Sequence, residues 1–131
     1  MTTTITAAAP SRTANTVLWV AQGLIAALFL FGAYGKVLLD PMVVAGFAAM
    51  GMGEGMALFV GLCELAGAVG ILVPVLSGLA GLGLTALMIG ATGLTVAFAG
   101  VEAAVFPAAV LLVVAAVTWG RRDRLRALFT R

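Results

Sequence analysis

The chain has 131 residues, 63% hydrophobic and 9% charged, with a mean hydropathy of +1.23 and a net charge of +2. So few charges, against roughly 25% in a soluble globular domain, exclude a water-soluble fold and leave a one-domain integral membrane protein. The single Cys63 excludes an internal disulfide or a Cys-x-x-Cys pair, and the lack of histidine excludes His-ligated haem, zinc or non-haem iron built from this chain alone.

Residues 1–15, rich in Thr and Ala with Pro10 and Arg12, read as a disordered cytoplasmic tail. Their weak n-region and the long apolar stretch that follows argue against a secretory signal. Residues 16–120 then form the transmembrane domain. Its first span covers about 17–35 and is closed by Lys36, whose stem can reach the interface. Asp40-Pro41 signals a helix start, with Asp at the N-cap and Pro at the first helical position. The helix over 41–50 is too short to cross a ~30 Å core and should lie at the outer interface, ended by Gly51 and Gly53. Span 2 covers about 56–73 and stops at Pro74. Span 3, about 78–98, follows after a tight turn. Span 4 covers about 101–119, with Pro107 in its first turns. Residues 121–131 form a basic cytoplasmic tail. The expected fold is all-α, a membrane-embedded four-helix bundle with a short interfacial helix between spans 1 and 2.

Five arginines follow span 4, at positions 121, 122, 124, 126 and 131. They place the C-terminus in the cytoplasm, and four crossings place the N-terminus there too. The expected location is the cell membrane, multi-pass. The bilayer is then the partner of the basic tail, and no nucleic acid is implied. Glu54 and Glu102 each precede a helix, where the macrodipole favours an acid. Small-xxx-small pairs Ala66/Gly70, Ala86/Gly90 and Gly93/Ala97 predict close helix packing and allow a homo-oligomer.

Glu64 is the only charged residue between Glu54 and Glu102, and it lies about two turns into span 2. A carboxylate inside a span is costly, so it calls for a partner, a wet cavity or a role. Lys36 ends span 1 on the same side, and its stem can bridge that depth. The two can therefore form a salt bridge that holds the spans in register or lines a pocket mouth. Gln22, Phe29 and Lys36 recur every seven residues on one face of span 1. Thr85, Met88, Thr92 and Thr95 share one face of span 3. These polar groups have no use for lipid and should face inward, unless the threonines simply bond back to their own helix carbonyls. The candidate pocket thus comprises Lys36, Glu64, Gln22, Tyr34, Thr85, Met88 and Thr92, with Glu64 as the candidate catalytic group. Tyr34 and Trp19 also read as interface anchors. Met50, Met52 and Met56 could form a soft copper(I) site, or could be gap-fillers in an apolar surface. No metal site is assigned.

Three segments carry a family resemblance. They are Phe31-Gly-Ala-Tyr-Gly-Lys36, Gly61-Leu-Cys-Glu-Leu-Ala-Gly-Ala-Val-Gly-Ile-Leu-Val-Pro74, and Leu79-Ala-Gly-Leu-Gly-Leu-Thr-Ala-Leu-Met-Ile-Gly-Ala91. Over about residues 17–122 the chain resembles the DoxX-like family of small four-helix membrane proteins, with Lys36 and Glu64 at matching positions. The resemblance implies a four-helix bundle. It also implies an accessory or anchor subunit of a membrane redox system, with a quinone or lipid as ligand and a membrane or redox protein as partner. The chain carries no cofactor of its own. A non-catalytic assembly or scaffold protein is a second reading. A small enzyme using Glu64 as acid or base on a lipid-soluble substrate is a third. The chain departs from its relatives after Ala91, where Thr92-Gly-Leu-Thr-Val-Ala-Phe98 replaces polar or histidine-bearing segments.

Overall fold

The computed structural model describes residues 11–130. Those residues form six helices in the order α1 Arg12–Val37, α2 Pro41–Ala49, α3 Glu54–Leu72, α4 Ser77–Ala99, α5 Val105–Gly120 and α6 Arg122–Phe129. The sequence-expected tail over residues 1–10 lies outside the described residues. Residues 12–15, expected in that tail, are instead the first turn of α1. Ser11 supplies the reason: its hydroxyl accepts from Ala14 N, a side-chain N-cap.

The ends of the helices follow local chemistry. α1 stops although no glycine is available: Leu39 takes the left-handed conformation (φ 54°), and Asp40 N donates to Gly35 O. That is a Schellman-type closure formed on a residue that tolerates it poorly, at a cost of about 1–2 kcal/mol. Asp40 then caps α2 by accepting from Met42 N at 2.9 Å, and Pro41 opens it. Gly51 (φ 77°) turns the chain toward α3. Val73 ends α3 in extended backbone, and Pro74 opens the turn that follows.

The helices α1, α3 and α4 are each long and apolar enough to cross a membrane. α5 has 16 residues, about 24 Å of helix. It reaches spanning length only together with α6, from which it is bent by 57°. The fourth span therefore begins later than the sequence suggests, because residues 101–104 form turns. The basic C-terminal segment is helical to Phe129. The result is an all-α, multi-pass bundle of three or four crossings.

Neighbours in the bundle are α1 with α3, α3 with α4, and α4 with α5, and α1 meets α5 to close the ring. Ile25, Ala26, Phe29, Ala68, Ile71, Leu84, Val114 and Val117 form the buried core. Large apolar side chains also cover the outer faces, among them Leu24, Phe31, Phe59, Ile89 and Leu112. Such a surface suits acyl chains and would be untenable in water. Glycines make the close approaches: Gly67 packs on Leu84, Gly70 on Ala80, and Gly120 on Leu18. The pairs expected on α4 do not take part, since Gly90 and Gly93 meet no neighbour.

Candidate functional site

The half of the bundle nearest α2 forms a cavity of about 540 Å³ that is part-open to the surroundings. Every helix except α6 contributes to its wall. Leu28, Phe29 and Gly32 come from α1, Phe47 from α2, Phe59 and Val60 from α3, Leu87 and Ala91 from α4, and Phe106 and Val110 from α5. Met50, Met52, Met56 and Met88 complete the apolar lining. A volume of this size holds a small organic molecule. The thioethers give it adaptable walls.

The polar groups of the lining are Lys36, Glu64 and Thr95. Lys36 Nζ lies 2.9 Å from Glu64 Oε1, with side-chain exposures of 21% and 10%. It also donates to Gly32 O at 3.3 Å, one turn back on α1. Two glycines let this pair form. A Cβ on Gly61 would stand 2.7 Å from Lys36 Cβ, and a Cβ on Gly32 would stand 2.8 Å from Glu64 Oε2. With no side chain at either position, α1 and α3 come close enough for the ammonium to meet the carboxylate. The arrangement is one ion pair at the edge of an apolar chamber. It can hydrogen-bond a carbonyl, a hydroxyl or a headgroup while the walls take up an apolar body.

The sequence-expected pocket divides. Lys36, Glu64 and Met88 line the cavity; Gln22, Tyr34, Thr85 and Thr92 do not. Gln22 shares a face with Lys36, but 14 residues of helix separate them by about 21 Å. Tyr34 is 70% exposed on the outside of α1. Thr85 bonds back to Gly81 O and meets Thr118 on α5, so it ties α4 to α5. The back-bonding alternative thus describes Thr85, and also Thr95, which bonds Ala91 O. Thr92 differs, because its Oγ1 is buried without a partner among the described residues. Thr92→Val should therefore be neutral or stabilising by up to about 1 kcal/mol, since it removes an unsatisfied hydroxyl at constant shape. A thermal midpoint in detergent that falls would contradict this.

Gln22 belongs to a second polar centre at the opposite end, which the sequence did not reveal. Arg121, at the α5–α6 bend, is fully buried. Its Nε donates to Gln22 Oε1 at 2.6 Å and its Nη1 to Asn15 Oδ1 at 2.7 Å. Gln22 Nε2 in turn donates to Ile71 O at 2.6 Å, a carbonyl left open by the end of α3. The guanidinium also lies 5.2 Å from the Trp19 ring. Trp19 is therefore a packing partner of arginine rather than only an interface anchor. The available signal was Asn15 and Gln22 seven residues apart on α1. The basic run hid it, because one buried arginine looks the same as its solvated neighbours.

The family model described as the DoxX-like family matches residues 20–117. No curated protein and no solved structure matches the chain. The matched segment takes in all of α3 and α4, most of α1 and α5, and both members of the ion pair. The chain belongs to the DoxX-like family.

Proposed function

We propose that this DoxX-like membrane protein binds a lipid-soluble molecule with a polar head, of which a quinone is the leading class. The ligand's head meets Lys36 and Glu64, and its apolar body occupies the methionine- and phenylalanine-lined chamber. The carrying observation is that an ion pair stands at the edge of a cavity of about 540 Å³ whose other lining is apolar but for Thr95, itself bonded back to Ala91 O. Small-molecule sites have this composition, with apolar walls and a few orienting polar groups. In this reading the protein serves as an accessory or anchor subunit of a quinone-linked membrane system. The ammonium can donate to a quinone carbonyl, and the carboxylate can accept from the reduced hydroxyl.

A photoreactive benzoquinone with an isoprenoid tail tests this on the full chain in detergent. Labelling should concentrate on peptides carrying residues 50–56 and 88, and an unlabelled quinone should compete. Even labelling along every lipid-facing helix would overturn the reading. Gly32→Ala should cost about 1–2 kcal/mol, because the added methyl displaces the Glu64 carboxylate. It should abolish the focused labelling while the bundle still folds. Retained labelling in that variant would separate the ion pair from binding.

A scaffold role is the second reading, favoured by the open face of α4. Gly83 and Gly93 meet no neighbour there, so a partner helix could approach closely. Co-purification in mild detergent distinguishes a subunit or scaffold from a lone enzyme that turns over by itself. We also propose that both termini face the cytoplasm, on the strength of the arginines at 121, 122, 124 and 126. Thr130→Cys, placed in a Cys63→Ala background, should resist an impermeant thiol reagent in intact cells. Ready labelling would reverse the orientation.

A further inference from the structure

We infer that α6 and the turn between α3 and α4 form a binding site for the headgroup of an anionic phospholipid. The site lies at the opposite end from the ion-pair cavity and does not depend on the reading of that cavity. At 100° per residue, Leu125, Leu128 and Phe129 fall on one side of α6. Arg122 and Arg126 border that side on one edge and Arg124 on the other. Leu125 packs against Gly78 at the start of α4, whereas Phe129 is 75% exposed. The 57° bend at Arg121 turns α6 away from the direction of α5. An amphipathic helix of this kind lies in the interface plane, here with Leu125 against the bundle, Phe129 left toward acyl chains and the cations in the headgroup layer.

Two further observations specify the ligand. A groove of about 260 Å³ runs between α6 and the α3–α4 turn, lined by Pro74, Val75, Arg124, Ala127 and Leu128. Arg124 is held at this groove by one nitrogen: Nη1 donates to Pro74 O at 3.3 Å and to Ser77 Oγ at 3.2 Å. Its Nε and Nη2 have no acceptor among the described residues, so the guanidinium can still offer a fork to a phosphate. The apolar wall beside it suits the glycerol backbone and first methylenes of a lipid rather than a free ion. Charge agrees with this assignment. Residues 121–130 carry four arginines and one acid, Asp123, while Asp40, Glu54, Glu64 and Glu102 all lie toward the other end. A zwitterionic surface would leave that field uncompensated, whereas an anionic leaflet complements it.

The two tryptophans of the chain serve as reporters. Trp19 lies 5.4 Å from the Arg124 guanidinium, and Trp119 lies 4.4 Å from that of Arg122. The full chain is reconstituted in mixed vesicles of phosphatidylcholine and phosphatidylglycerol, with one or the other lipid brominated in its acyl chains. Brominated phosphatidylglycerol should quench the tryptophans with a relative binding constant about fivefold above that of brominated phosphatidylcholine, the factor one arginine supplies near an anionic surface. Raising the salt concentration should shrink the preference. Arg122→Gln/Arg124→Gln/Arg126→Gln, with Arg121 intact to hold the bundle, should bring the ratio to about one. Where the triple change fails to fold, Arg122→Gln/Arg126→Gln, which leaves the Arg124 bonds to Pro74 O and Ser77 Oγ intact, should still lower it. Equal quenching by the two lipids in the natural chain overturns the inference, as does a preference unmoved by salt and by the arginine changes. Loss of the preference on adding free glycerol phosphate would make the site one for a soluble anion and overturn it too. So would the absence of lipid preference together with an acidic protein retained only by the natural chain.

Discussion

Arg121→Met should lower the stability of the bundle in detergent by about 3–5 kcal/mol, the largest single effect expected in the protein. Arg121 is fully buried at the bend that joins α5 to α6. Two charge-assisted hydrogen bonds join it to α1, and each of that kind contributes about 1.5–3 kcal/mol. Methionine replaces much of the stem but leaves the buried Gln22 Oε1 and the half-buried Asn15 Oδ1 without their donors. It also removes the cation from Trp19. The damage should extend to α3, since Gln22 holds Ile71 O only while its own carbonyl is fixed. Arg121→Lys should not rescue, because one ammonium cannot reproduce the geometry of a fork that reaches two acceptors. Denaturation followed by tryptophan fluorescence and by helical circular dichroism measures the change. A midpoint equal to that of the natural chain in either variant would show that α1 and α5 are held by apolar packing alone.

The spans, the capped helix after Asp40 and the Lys36–Glu64 pair were legible in the sequence because each rests on local or strongly unfavourable chemistry. A charge in an apolar run demands compensation, and Asp-Pro presets a helix start. The boundaries that moved did so for reasons spread over several residues. α1 gained a turn from the Ser11 cap, and α5 lost one to the turns after Gly100. The pocket was only half legible. Helical periodicity assigns a face but not a depth, so it grouped Gln22 with Lys36 although they serve opposite ends. Phe47, Met50 and Phe106 reach the cavity from segments separated from Glu64 by turns, and no spacing rule connects them. Buried Arg121 was hidden within a run of half-buried and exposed arginines.

The ion pair gives the second large effect. Glu64→Gln alone and Lys36→Met alone should each destabilise the bundle by roughly 2–4 kcal/mol, somewhat under the 3–5 kcal/mol of a fully buried pair because Lys36 keeps some contact with the surroundings. Each single change leaves one charge without its opposite in a low-dielectric setting. Lys36→Met also loses the ammonium's second bond, to Gly32 O, so it should be the costlier of the two. The double change removes both charges together and should recover much of the loss, giving a coupling of about 1–3 kcal/mol in a double-mutant cycle. Two single changes that are harmless and additive would show that the 2.9 Å contact carries no energy. Function should follow a different pattern. A pair that only sets the register of α1 on α3 would regain quinone labelling when stability returns. A pair that orients a ligand head would not, because methionine and glutamine supply neither the ammonium nor the carboxylate. The expected outcome is therefore a double variant that folds nearly as well as the natural chain and no longer focuses the photolabel in the chamber. Recovery of labelling alongside stability would assign Lys36 and Glu64 to the architecture and leave the apolar walls as the whole of the binding site.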